Sequence, residues 1–235
     1  MMTNRGWLTT FRAVFVAGAA MLALAACSEA PVETASSAGQ ANNGQANSEQ
    51  ASRSYAEGTY YRVLEHPVQQ EQQEPYLVEY LWVGCPACQR FEPIMQGFKA
   101  ANPNVPIVRR HGVFNQRWAL DARMFHAASI AAERDVAVEM LAFYQAQAPE
   151  LPDFSDLSTF LRQQGLDEQA VFDLADSSEV EAIMEQTLAE MRANNIPGVP
   201  AVVVNGRYLV KNPLPNDINT QQDYNQLIEY LLSLD

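Results

Sequence analysis

The stretch YLVEYLWV, residues 76–83, runs straight into GCPAC, residues 84–88. Apart from Glu79 it is apolar or aromatic throughout, so both alternating faces of an extended segment would be covered. Such a strand belongs at the centre of a sheet with layers on both sides. Pro86 then suits a first helical position, where its missing N–H costs nothing. A helix is expected from just after Cys85 toward Ala101, kinked at Pro93. A doubly covered strand feeding a helix commits the chain to a layered α/β arrangement.

The remaining segments fit that frame. YYRVLEH (60–66) and VPIVRR (105–110) read as strands, and residues 117–176 read as almost wholly helical. A longer helix follows, with Val180, Ile183, Met184, Leu188 and Met191 on one face. PAVVVNGRYLV (200–210) reads as two strands around Asn205-Gly206, a strong hairpin signal, and a last helix is expected near 221–234. The order is β-α-β, a helical block, then α-β-β-α. Strands from both ends would share one sheet, with the block at about 114–177 inserted between them. At 235 residues and 48% hydrophobic content, one domain with a proper core is expected over 57–235.

The N-terminal part differs in texture. Arg5 and Arg12 precede the apolar run of residues 13–26, too short for a comfortable membrane span and laid out as a secretory signal. The run ends LAAC (24–27), which resembles the lipobox of bacterial lipoproteins, where Cys27 would carry the lipid. Ordinary cleavage after Ala25 is the competing reading and would leave Cys27 a free thiol. Residues 27–56 would form the anchor and a disordered, low-complexity tether reaching roughly 25–30 Å. Beyond residue 26, 13 basic residues face 28 acidic ones. That balance repels phosphate backbones, so nucleic-acid binding is not expected.

Cys85 and Cys88 could be a metal clamp, a structural staple or a redox centre. Zinc needs four ligands, and His66, His111 and His126 lack zinc-knuckle spacing, so no metal is expected. A staple across so short a loop restricts the unfolded chain little. The redox reading has a mechanism: Cys85 at a helix start faces unpaired N–H groups and the positive dipole end, which stabilise the thiolate. Cys88, one turn on, would be the more buried partner. Export places the pair where disulfides persist.

VEYLWVGCPACQRFEP together with IPGVPAVVVNGRYLV, flanking a helical block, resembles the DsbA-type thiol:disulfide oxidoreductases of the bacterial cell envelope over about residues 60–235. The resemblance implies a thioredoxin fold with an inserted helical subdomain, no cofactor, and disulfide donation to exported, reduced or unfolded proteins. It implies reoxidation by a quinone-linked membrane oxidase and a periplasmic location, to which the lipobox adds a lipid anchor to a membrane through Cys27. Cys85 would be the exposed nucleophile and Cys88 the resolving cysteine. Pro200 would match the family's cis-proline, placing the Val199 backbone beside the dithiol to pair with substrate. Without the family, Pro200 reads only as a strand-start proline. Glu79 matches a buried acid of the family, with a role as proton acceptor for Cys88; a paired structural acid is the other reading. Arg109 falls where a basic partner for that acid can sit. His111 and His126 receive no role, and Trp82, Phe91 and Tyr80 read as packing residues.

One position departs from the pattern. Strongly oxidising members carry histidine before the second cysteine, where this chain has Ala87, which withdraws an imidazole from the thiolate. An isomerase or reductase held in the dithiol state is therefore the alternative reading, followed by a non-catalytic peptide-binding lipoprotein.

Overall fold

The computed structural model describes residues 54–69 and 73–234. The expectations for the signal, for Cys27 and for most of the tether lie outside them. The described chain contains five strands and seven helices. They are β1 (Tyr61–Val63), β2 (Leu77–Leu81), α1 (Pro86–Ala101), β3 (Ile107–His111), α2 (Gln116–Ala131), α3 (Ala137–Gln147), α4 (Phe154–Gln163), α5 (Glu168–Ala175), α6 (Ser178–Ala193), β4 (Ala201–Val204), β5 (Tyr208–Val210) and α7 (Gln221–Leu232).

The strands form one mixed sheet in the order β1-β5-β4-β2-β3. β2 pairs parallel with β3, Glu79 opposite Arg109, and antiparallel with β4, Glu79 opposite Val202. All five residues of β2 are buried, as its two-faced apolar pattern requires. On one face Leu77, Val202 and Val204 pack on Met95 and Phe98 of α1 and on Leu227 and Leu231 of α7. On the other, Val78, Tyr80 and Val203 pack on Met191 of α6 and on Ile196. Helices α2–α5 lie between β3 and α6 in sequence and share a third core around Phe125, Met140, Tyr144 and Phe160, which also takes in Leu81, Val83 and Cys88. The inserted helices therefore pack against the end of the central strand, where the two cysteines sit.

Local signals match the elements. In the β4–β5 turn Asn205 (φ 47°) and Gly206 (φ 66°) are both left-handed, the geometry that Asn-Gly favours. A Cβ on Gly206 would lie 2.2 Å from the Val68 carbonyl oxygen, so that turn admits no side chain. Helix α6 buries Val180, Met184 and Met191, with Thr187 among them, and Ile183 and Leu188 at its margin. Two expectations shift. Strand β3 begins at Ile107 rather than Val105 because Pro106 has no N–H to donate to a ladder, although its carbonyl accepts the Leu77 N–H. Tyr55, assigned to the tether by composition, is 2% exposed and packs on Tyr60 and Tyr230 at ring separations of 5.0 and 5.2 Å. The packed chain thus starts before residue 57.

Candidate active site

The sharp exit from β2 sets the geometry. Cys85 N–H closes a turn onto the Trp82 carbonyl (2.9 Å), and Cys85 becomes the N-cap of α1 with Pro86 in its first turn. The Cys88 N–H donates to Cys85 Sγ at 3.4 Å. This is capping by sulfur where serine or aspartate would ordinarily serve. Cys85 is half-buried and Cys88 is 1% exposed; both are free thiols.

Three residues apart, the two sulfurs are pushed in opposite directions. Cys85 is lowered to about 6, first by the hydrogen bond it receives from Cys88, against an opposing effect of burial; backbone N–H groups of Cys88 and Ala87 and the charge of Arg90 add to it. Cys88 is pushed up, first by that same hydrogen bond and then by burial, with the nearby Glu79 charge adding. A thiolate is thus favoured at the exposed sulfur and a thiol at the buried one, the asymmetry that disulfide exchange uses. The loop before β4 completes the opening. Val199–Pro200 is a cis peptide, and the Val199 carbonyl faces Cys85 Sγ at 3.9 Å. Asn212 Nδ2 holds the Pro200 carbonyl at 2.6 Å. Cys85, Cys88, Val199 and Pro200, distant in sequence, therefore meet at one opening.

Beneath the sheet end lies a buried charge cluster. Arg109 Nη1 donates to Glu79 and to Glu92 Oε2 (2.7 Å), and its Nη2 donates to Glu92 Oε1 (3.0 Å). Arg109 Nε lies 3.3 Å from Asp135 Oδ2, an ion pair without hydrogen-bond geometry. One guanidinium thus serves three carboxylates. Burial raises Glu79 to about 7, Arg109 offsets part of that, and Glu92 and Asp135 push it up further.

On the other side of Cys85, Asp121 of α2 is fully buried. It accepts from Trp82 Nε1 (2.7 Å), Tyr144 Oη (2.7 Å) and Arg117 Nε (2.9 Å). The Trp82 ring stacks on Trp118 with centroids 4.4 Å apart and planes 19° from parallel. At the end of β3, His111 Nε2 accepts the Val83 N–H (3.4 Å) while its Nδ1 donates to the Gly112 carbonyl (2.9 Å). His126 Nε2 accepts the His111 backbone N–H at 3.5 Å. Both imidazoles are buried, and burial lowers them to about 4 and about 3.

The expected Arg109–Glu79 pair is thus formed. Tyr80 is fully buried with its hydroxyl on Glu190 (2.8 Å), and Phe91 packs edge-on against Tyr224. Sequence reasoning missed Glu92, Asp121, Asp135 and the placement of the two histidines. A signal existed for the first two. Glu92 interrupts the apolar stripe Cys88, Met95, and Asp121 interrupts Trp118, Ala122, Phe125; a charge on a covered helix face needs a partner.

This fold and this dithiol define the thioredoxin class, and the chain matches the thioredoxin family over residues 66–229. The chain belongs to the thioredoxin family, and within it to the DsbA-type thiol:disulfide oxidoreductases. It is 29% identical to the thiol:disulfide interchange protein DsbA of Pseudomonas aeruginosa over 157 residues, 66% of this chain and 74% of that one. It is 26% identical to the DsbA of Burkholderia cepacia over 167 residues, 69% and 79% of the two chains. The crystal structure of Pseudomonas aeruginosa DsbA superposes with a TM-score of 0.63 at 26% identity, covering 76% of this chain and 93% of that one.

Proposed function

We propose that the protein donates disulfides to exported proteins in the bacterial periplasm, cycling Cys85 and Cys88 between disulfide and dithiol. The observation that carries this reading is the pairing of a half-exposed, acidified Cys85 with a buried Cys88 directly opposite the Val199 carbonyl.

In the oxidised protein a substrate thiolate attacks Cys85 Sγ. The Cys85–Cys88 bond breaks, and a mixed disulfide forms at Cys85. The electron pair leaves on Cys88, which takes up a proton. A second substrate thiolate then attacks the substrate sulfur of the mixed disulfide and expels Cys85 as a thiolate. Two electrons have passed from substrate to protein; of the two substrate protons, one stays on Cys88 and the other goes to solvent. Reoxidation reverses the flow, with Cys85 attacking the disulfide of a quinone-linked membrane oxidase and Cys88 closing the pair. Glu79, held near neutrality, takes the Cys88 proton in that step. Val199 and Pro200 present backbone to the extended substrate. Anchoring through a lipid on Cys27 would keep this chemistry at a membrane surface.

The cysteine variants test the roles. Cys85→Ala abolishes transfer, and Cys88→Ala accumulates mixed disulfides on Cys85, resolved on non-reducing gels. Adducts on Cys88 in the first variant would refute the assignment. The isomerase or reductase reading keeps one observation in its favour: Ala87 offers the thiolate a backbone N–H but no imidazole.

A further inference from the structure

Asp121 is spent on a tryptophan. A fully buried carboxylate with three donors is costly to assemble, and its donors come from three separate places: the loop after β2, helix α2 and helix α3. The same Arg117 that binds Asp121 also donates through Nη2 to the Pro152 carbonyl at 2.9 Å, bringing in the α3–α4 loop. Through the Asp121 carboxylate these contacts tie the indole of Trp82, three residues before Cys85, to helices α2 and α3.

The fixed indole in turn defines a surface. A Cβ on Gly84, the neighbour of Cys85, would lie 2.6 Å from Trp82 Cζ2 and 3.0 Å from Leu151 Cδ2. A Cβ on Gly112 would lie 3.1 Å from Trp118 Cζ3 and 3.6 Å from Val199 Cγ1. The stacked pair therefore packs on Gly84, beside Cys85, and on Gly112, which also neighbours Val199. Beyond Trp118 the surface continues to Phe114, edge-on at 5.0 Å and 47% exposed. Neither tryptophan is fully buried. A peptide lying along Val199 with its cysteine on Cys85 would set a flanking side chain on this apolar surface.

We propose that Asp121 is a positioning residue: by locking the Trp82–Trp118 stack it makes the site select substrates with a large apolar residue next to the reactive cysteine. Its effect is on selection, not on the acidity of Cys85, since no Asp121 contact reaches either sulfur. The inference rests on the dithiol reading of the site.

The test compares oxidation by the full-length protein of two dithiol peptides that differ only in carrying Phe or Gly beside the cysteines. Wild type oxidises the Phe peptide at least about tenfold more efficiently in kcat/KM, the scale on which apolar pockets discriminate. Asp121→Asn and Trp82→Phe, the latter keeping a ring but losing the indole N–H, each reduce that ratio to about threefold or less. They do so by slowing the Phe peptide alone, while the pH midpoint of Cys85 alkylation stays where it is in wild type. A wild-type ratio near one overturns the proposal. So does an unchanged ratio in Trp82→Phe, which would show that the lock is dispensable, or an equal loss on both peptides in both variants, which would mark Asp121 as merely structural. If wild type oxidises neither peptide, the dithiol reading itself is refuted and the inference falls with it.

Discussion

Two buried carboxylates flank the cysteine helix, and they are treated in opposite ways. Glu79, on the central strand, shares a single guanidinium with Glu92 and Asp135; burial first, and then those two acids, raise it to about 7 against the pull of Arg109. Asp121, in the inserted helices, has three donors to itself and no competing acid among its hydrogen-bond partners. An under-compensated acid is suited to exchange a proton; a fully satisfied one is suited to hold a shape. One fold thus holds an acid raised to about 7 near Cys88 and a fully satisfied acid on Trp82.

The contrast is broken most severely by removing the cation. Arg109→Ala leaves Glu79 and Glu92 buried without compensation and should cost about 3–5 kcal/mol at pH 8. Part of that loss should return at pH 5, where Glu79 can be protonated; thermal unfolding at the two pH values checks both parts. Asp121→Ala strands the Trp82 indole N–H and the Tyr144 hydroxyl, at about 1–3 kcal/mol each, and the change should appear in tryptophan emission as well as in the melting temperature.

A comparable effect comes from the two buried histidines, His111 and His126. Both are buried neutral, at about 4 and about 3, well under the ordinary value of 6.5. The unfolded chain therefore binds more protons than the folded one between those values and 6.5, so this contribution to stability is complete above 6.5 and drains away as pH falls through the window. Denaturant titrations between pH 7 and pH 4 should show a loss of a few kcal/mol. His111→Phe, which removes one of the two groups, should flatten the curve.

Glu79→Gln addresses the acid directly. Its folded value is raised above the ordinary 4.5, so ionising it costs stability as pH rises from about 4.5 through about 7, and the cost is complete above that. The glutamine variant should gain on wild type at pH 8 relative to pH 5, and its Cys88-dependent resolution of mixed disulfides should lose the rise near pH 7. The smallest effect is expected of Ala87→His. A one-unit fall in the Cys85 value is about 1.36 kcal/mol, or about 30 mV for this couple, readable by equilibration against glutathione.

The legibility of these features in sequence follows their physics. The doubly apolar 76–83, the Asn205-Gly206 turn and the Cys85-Pro86 helix start each act locally, and each was readable without tertiary knowledge. Glu79 stood out because a charge on a covered strand is an anomaly. Its surroundings were less accessible: Arg109 was placed through the family resemblance, whereas Glu92 and Asp135 reach it from a helix and a loop 17 or more residues away. The same applies to Asp121, whose interruption of a helical stripe was visible while its partner Trp82, 39 residues earlier, was not. Tyr55 shows the converse failure, since low complexity around it hid one aromatic residue that the fold uses.

The direction of electron flow is the central claim, and Ala87 is the residue that most puts it at stake. Acid-quenching cells and alkylating the free thiols reports whether Cys85 and Cys88 reside as a disulfide or as a dithiol. The account predicts mostly disulfide in wild-type cells, shifting to dithiol when the membrane oxidase is removed. A pair found mostly as dithiol in wild-type cells would contradict it and make the protein an isomerase or reductase.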